Sequence, residues 1–494
     1  NKAVAALNLF DKNGILTNFS TAAWPKATPY ISPRVGFRWS LPDEKMTLRG
    51  GTGLYTGRIP FVYLTNIPTG SGPYQFGALI TPTTVGANLS NFLFNPDPHA
   101  YNPFYNSSLS STVFPTTGGT VVPSGAYALV NQNFKFPQIW RTDIAMDKQL
   151  GNRWGLTLEA IYTKDINAVY MFNANQNAPN TTVAIGPTTR AAYSSSGARK
   201  LNSASGNAIV LENTKKGGAF SFTTQISKGY SKGFYGSLAY TYTAAYDVTA
   251  NPGSQATSVW SANATSSTQN ATELAYSNFA APHRIVGNVS YRFEYLKHLA
   301  STLSFFYEGS TQGSYTYIYN GDINNDGNSA DLMYIPRNAS EINFVTIAAS
   351  GNNPGFTAQQ QSDAFFKYVA QDKYLSKHQG QNAERNGTLF PFYHRVDMKF
   401  TQDIFTNFGN RKNTLQFTVD VNNALNLFNR DWGIKRFFIV SNPLKVVTAG
   451  VANFQMATYL PAGATTQVLV DRTYINNNST SSTWSMQMGL RYIF

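Results

Sequence analysis

The sequence contains no cysteine, which removes disulfide frameworks, thiolate metal sites and cysteine nucleophiles together. Charged side chains are scarce, at 13% of 494 residues, roughly half the share usual in soluble domains. Long apolar runs are missing as well. The richest stretch, 303–307 (LSFFY), falls far short of the roughly 20 residues that a helical membrane span requires. Nor is there a clustered basic stripe: the formal charge of +13 is scattered, and its only pairs are short, as at Lys215-Lys216 and Arg411-Lys412. Nucleic acid is therefore excluded as a partner. Scattered cations suit the phosphates of lipopolysaccharide at a membrane rim, or the lining of a lumen.

What is plentiful is aromatic: 29 Tyr and 34 Phe, in a chain whose mean hydropathy is slightly negative. Apolar side chains must then be dispersed, and their dispersal has period two. In 484–494 (WSMQMGLRYIF), Trp484, Met486, Met488, Leu490, Tyr492 and Phe494 share one face, while Ser485, Gln487, Gly489 and Arg491 share the other. A strand with lipid on one side and water on the other needs this pattern. In 284–295, Ile285, Val289, Tyr291, Phe293 and Tyr295 oppose Asn288, Ser290, Arg292 and Glu294. The same grammar predicts strands at 33–41, 46–57, 138–150, 153–166, 219–229, 233–246, 302–308, 392–405 and 413–425. The expected fold is all-β, an antiparallel transmembrane β-barrel of the bacterial outer membrane with about eleven strands present.

Connections alternate between short turns and the long stretches 58–137, 167–218, 247–282, 313–391 and 426–483. Outer-membrane barrels have short periplasmic turns and long extracellular loops, so the long stretches belong outside. The segment 1–32 alternates little and reads as the remnant of an extracellular loop. With short turns in the periplasm, the strands at 33–41 and 484–494 both run inward. Bacterial single-chain barrels have an even strand number, so an odd set starting outside predicts that upstream strands are missing.

Four segments also resemble a known family: the stretch beginning at Thr414 (TLQFTVDVNNALNLFNRDWG), 137–165 (PQIWRTDIAMDKQLGNRWGLTLEAIYTKD), 282–293 (PHRIVGNVSYRF) and 321–336 (GDINNDGNSADLMYIP), with the terminal Phe494. They are similar to TonB-dependent outer-membrane receptors, especially the Oar-like group with a carboxypeptidase-regulatory-like N-terminal domain. The resemblance implies a barrel of about 22 strands, of which 33–494 would be the C-terminal half. It further implies a plug and a TonB-contacting motif, neither of which is recognisable in this sequence. The function so implied is TonB-dependent uptake of a nutrient such as a glycan, peptide or siderophore, bound by extracellular loops and lumen. Expected partners are outer-membrane lipids and lipopolysaccharide, the TonB complex through the plug, and the N-terminal barrel half. The alternative is a non-transporting adhesin, or a scaffold in a secretion or surface-lipoprotein complex.

Charged residues on the polar faces are candidates for contact with a solute or plug: Arg34, Arg38, Arg49, Arg141, Asp143, Arg292, Glu294, Arg395, Asp397 and Lys399. They serve equally as cross-strand pairs that stiffen a barrel. Tyr315 and Tyr317 could form an extracellular stacking platform or part of an aromatic girdle. Asp322, Asn324 and Asp326 with Gly327 follow the spacing of a calcium loop. Met333 stands where such a loop has its bidentate Glu, and Asp331 could substitute; the competing reading is an Asx turn. No cofactor is otherwise required. His99, His283, His298, His378 and His394 stand in no triad or metal spacing, and no carboxylate pair suggests a glycosidase, so no enzyme activity is expected.

Overall fold

The structure, a computed structural model, describes residues 1–70, 95–97, 122–408 and 411–494. Much of the loop expected at 58–137 lies outside the described residues. Eleven strands follow one another in chain order through one antiparallel sheet. They are β1 (Arg34–Leu41), β2 (Met46–Thr56), β3 (Gln138–Gly151), β4 (Trp154–Asp165), β5 (Gly218–Ser231), β6 (Phe234–Asp247), β7 (His283–Tyr295), β8 (Leu299–Thr311), β9 (Phe392–Phe408), β10 (Arg411–Asn422) and β11 (Ser485–Ile493). A two-residue strand, Ala275–Tyr276, adds to the end of β6. The strands alternate as their sequences do. Val35, Phe37, Trp39, Ile144, Leu238, Tyr291, Phe293, Met488 and Leu490 stand exposed, and an apolar face bare to water marks a lipid-facing surface.

Tight turns of two or three residues join several hairpins. Asn152 and Arg153 between β3 and β4 both have positive φ, 49° and 63°, as do Leu296 and Lys297 between β7 and β8 at 50° and 61°. Paired positive φ values are those of a type I′ turn, whose twist matches that of the flanking strands. Leu tolerates this region poorly, so neighbouring strand pairing sets Leu296 against its own preference. Among the described residues the sheet is not closed: β1 pairs only with β2, and β11 only with β10.

The long connections fold into a cap with cores of its own. Tyr127–Val130 pairs in parallel with Ala208–Thr214, which pairs antiparallel with Ala168–Asn173. This small sheet is buried on both faces. Ala128, Val130, Met171 and Ile209 enter one core with Ile67 and Trp260, while Tyr127, Leu129, Phe172 and Val210 enter another. The segment 1–32 has more structure than its weak alternation suggests: Val4 and Leu9 pack into that second core. A third core unites the stretches after β8 and β10 around Tyr317, Tyr319, Phe365, Tyr368 and Phe454. Helix Ala358–Gln371 is anchored there, its start closed by a capping box between Thr357 and Gln360.

Candidate functional site

The charged face of the sheet and the cap together form the candidate site. Register decides which charges meet. Arg49 on β2 donates to Asp147 on β3 at 3.0 Å and to Glu159 on β4 at 3.1 Å, and Thr157 adds a bond to Asp147 at 2.7 Å. Arg292 reaches across β8 to Asp403 on β9 at 2.6 Å and touches Glu294 at 3.4 Å. Arg395 pairs with Asp397 at 2.8 Å, and Lys399 with Asp420 at 3.0 Å. Most of the expected lining residues are thus already engaged with opposite charges, each pair worth roughly 0.2–1 kcal/mol.

A smaller group remains available. Arg34 and Arg141 both flank Gly53 in the register, and Asp143 sits opposite Gly51. Arg34 lies 4.3 Å from the Tyr55 ring centroid, and Arg141 donates to the Thr163 hydroxyl at 3.3 Å. Among the described residues Arg34, Arg38, Arg141 and Asp143 form no ion pair. Arg34 packs over Gly53, which has no side chain to displace it, and Arg34, Arg38 and Arg141 are exposed, so β1–β3 present three cations and one half-buried carboxylate on the charged face. Glu159, which completes the Arg49 group, was missing from the sequence candidates. Its parity on 153–166 was the signal that could have found it.

Tyr315 and Tyr317 require a correction. They are 6% and 0% exposed, so they offer neither a stacking platform nor a girdle. The Tyr317 hydroxyl donates to buried Asp372 at 2.8 Å, and Thr473 does so at 2.7 Å. Tyr315 bonds the Tyr474 hydroxyl at 2.9 Å. Burial pushes both phenols far above their ordinary range. The Tyr-x-Tyr-x-Tyr pattern is therefore a core segment closed over by partners distant in the chain.

The turn at Asp322 is also an interior feature, with Asn324, Asp326 and Asp331 all buried. Backbone N–H groups of Asp326 and Gly327 donate to the Asp322 carboxylate at 3.1 and 2.7 Å, an Asx-type closure, and Gln269 N–H donates to Asp326 at 2.9 Å. Asp331 accepts from Ile323 N–H and from Arg190, both at 3.1 Å. Among the described residues no three His, Asp or Glu side chains stand together as a ready metal cage. Burial, with Asp322 as a like charge nearby, lifts the Asp326 carboxyl to about 6, and burial also raises Asp322 and Asp331. A carboxyl raised on folding stabilises fully below its unfolded pKa, and this contribution fades as pH climbs through the folded value. Hydrogen exchange in 321–333, corrected for intrinsic rates, is therefore expected to quicken between about pH 4 and about pH 6. Protection that stayed constant over this window would show that Asp326 ionises without cost.

Residues 4–431 match the family model described as outer membrane beta barrel domain. The chain belongs to this family. It is an antiparallel β-barrel protein of the outer membrane. No curated protein matches the chain. Similar solved structures include a mutant of the ferric enterobactin receptor PfeA from Pseudomonas aeruginosa, at 9% identity and TM-score 0.35 over 93% of this chain and 40% of that one. The outer membrane transporter YddB from Escherichia coli is 10% identical, TM-score 0.35, over 86% of this chain and 39% of its own. The siderophore receptor PirA from Acinetobacter baumannii is 9% identical, TM-score 0.34, over 80% and 37%. The barrel chain thus spans about 40% of the length of the first of these.

Proposed function

We propose that this chain is the C-terminal part of a TonB-dependent transporter, which binds a nutrient such as a glycan, peptide or siderophore with cap and lumen and draws it inward. The observation that carries this reading is a sheet apolar on one face and charged on the other, joined to a folded cap built from its long connections. The four segments similar to TonB-dependent receptors, Oar-like ones in particular, support the energy coupling. Unpaired strand edges are not tolerated in hydrocarbon. The free edges of β1 and β11 therefore call for further strands, from the same polypeptide or a partner, with a plug among them. Arg34, Arg38, Arg141 and Asp143 are then the lining residues that meet plug or solute.

Cells carrying the full-length protein are expected to accumulate labelled oligosaccharide, peptide or ferric siderophore only while the proton-motive force is intact. Combined Arg34→Gln and Arg141→Gln substitution should lower uptake about tenfold through loss of electrostatic focusing, at unchanged surface abundance. Uptake indifferent to collapse of the proton-motive force would sink the transporter reading and leave the adhesin or scaffold.

Calcium in the turn at Asp322 is a second proposal. Its support is the run of side-chain oxygens at Asp322, Asn324 and Asp326, bent at Gly327 with φ +88°, with Asp331 alongside. Calcium is expected to protect 321–333 from proteolysis and chelator to expose it; equal cleavage in both would refute the proposal.

A further inference from the structure

One aromatic residue breaks the parity of β8. Thr302, Ser304, Glu308 and Ser310 share its polar face, yet Phe306 stands among them at 38% exposure. On β6 the same exception is Tyr235, 41% exposed, on the face that carries Ser237 and Thr241. Neither ring faces lipid. Register puts Phe306 between Asn288 on β7 and Asp397 on β9, and Tyr235 opposite Ser290, all on the charged face. Single exposed aromatic side chains are ordinary, but these two border one groove of about 330 Å³, within the size range of small-molecule sites. Asn288 and Phe306 lie near the middle of β7 and β8, so the groove belongs to the membrane-spanning part of the lumen and not to the cap.

Asn288, Ser290 and Ser304 line the groove between the two rings. Among the described residues the hydroxyls of Ser290 and Ser304 form no hydrogen bond, and Asn288 Oδ1 has no partner. The charges of the groove, by contrast, are already engaged. Lys399 is held by Asp420 at 3.0 Å, and Asp397 by Arg395 at 2.8 Å and by the Asn423 N–H at 2.7 Å. An anionic ferric siderophore or a charged peptide needs an opposite charge free to answer its own, and this groove offers none. A wholly apolar solute would strand the serine hydroxyls and the Asn288 amide. A neutral sugar meets both demands: its C–H face packs on an aromatic ring, and its hydroxyls donate and accept as Ser and Asn side chains do. Phe306 and Tyr235 stand two strands apart, about 10 Å across the sheet, which is too far for one pyranose. The ligand is therefore an oligosaccharide.

We propose that this groove is a subsite for a neutral oligosaccharide in the lumen. One pyranose stacks on Phe306 and another on Tyr235, and Asn288, Ser290 and Ser304 bond the hydroxyls between them. The subsite rests on the importer reading and narrows its nutrient to a glycan.

The test uses full-length protein in a detergent without a sugar headgroup. Equilibrium binding of maltohexaose, cellohexaose, xylohexaose and mannohexaose is measured by calorimetry, beside an uncharged hexapeptide and a ferric siderophore. At least one hexasaccharide is expected to bind. Phe306→Ala and Tyr235→Ala should each weaken it about tenfold, the contribution of one stacked ring. Phe306→Trp keeps the flat face and should bind as wild type does, whereas Phe306→Leu keeps apolar bulk without that face and should bind as weakly as Phe306→Ala. Both positions face water, and heat-modifiable gel mobility checks that each barrel has folded. Absence of binding by every hexasaccharide would overturn the proposal and leave both rings to the plug. So would wild-type affinity in Phe306→Leu, or a preference for peptide or siderophore that Phe306→Ala abolishes. Binding is read without a proton-motive force, so the two readings fail separately. Saccharide bound but not accumulated by cells would sink the importer and leave the groove; siderophore or peptide accumulated without saccharide binding would do the reverse.

Discussion

Asp372→Ala is expected to open the part of the cap formed after β8 and β10 while the eleven-stranded sheet persists. Asp372 is buried at 3% exposure, and its two carboxylate oxygens serve four donors. They accept from the Tyr317 and Thr473 hydroxyls at 2.8 and 2.7 Å, and from the backbone N–H groups of Tyr374 and Leu375, both at 2.9 Å. The residue ends helix Ala358–Gln371 and starts the turn that follows it. Truncation strands all four donors in an interior that water does not reach, at about 1 kcal/mol or more for each, so the loss should be roughly 4 kcal/mol. Hydrogen exchange should show lost protection across 313–391 and 436–474, with β1–β11 unchanged. Asp372→Asn keeps the shape and part of the hydrogen bonding, so its loss should be smaller. If Ala and Asn behaved alike and both left exchange at the wild-type level, Asp372 would not be the fastener described.

Arg385→Met is expected to free the same stretch from the top of β6. The side chain is 5% exposed and bonds elements far apart in sequence: the Asp247 carboxylate at 3.0 Å, the Val248 carbonyl at 2.5 Å and the Asn263 side-chain oxygen at 2.5 Å. Burial lowers its pKa, and Asp247 works against that shift. Methionine fills similar volume but leaves the Asp247 carboxylate without its cation and three further acceptors, the Val248 and Asp247 carbonyls and the Asn263 side-chain oxygen, without this donor. Breaking a buried pair from one side typically costs about 3–5 kcal/mol. A double-mutant cycle with Asp247→Asn separates the charge from the packing: the second substitution should recover part of the loss. Full additivity of the two changes would mean that the pair contributes no coupling.

The membrane lattice was legible because its signal is local. A strand between lipid and water repeats every two residues, so stretches such as 284–295 declare both their strand and its faces. The predicted strand at 302–308 became Leu299–Thr311, and that at 392–405 ran on to Phe408; pairing with longer neighbours extends a strand beyond its own alternation. The candidate charges were legible as a face but not as partners. Arg292 meets Asp403, 111 residues away, only because β8 lies between their strands at one register. The cap was the least legible part. Tyr127–Val130 is buried on both faces, so it shows no alternation, and Tyr315 and Tyr317 are enclosed by Tyr368, Asp372 and Tyr474, which lie 51 to 159 residues downstream.

The sequence by itself determined that this is an outer-membrane barrel chain, that its lattice has eleven strands, and that short turns alternate with long connections along it. Period-two patterning and turn length are properties of neighbouring residues, and a bilayer enforces them strand by strand. Only the tertiary structure decided which charges are used up in pairs, which tyrosines are buried, and which aromatic side chains share one groove on the polar face. Those outcomes depend on register and on contacts between distant segments, which composition and periodicity do not encode.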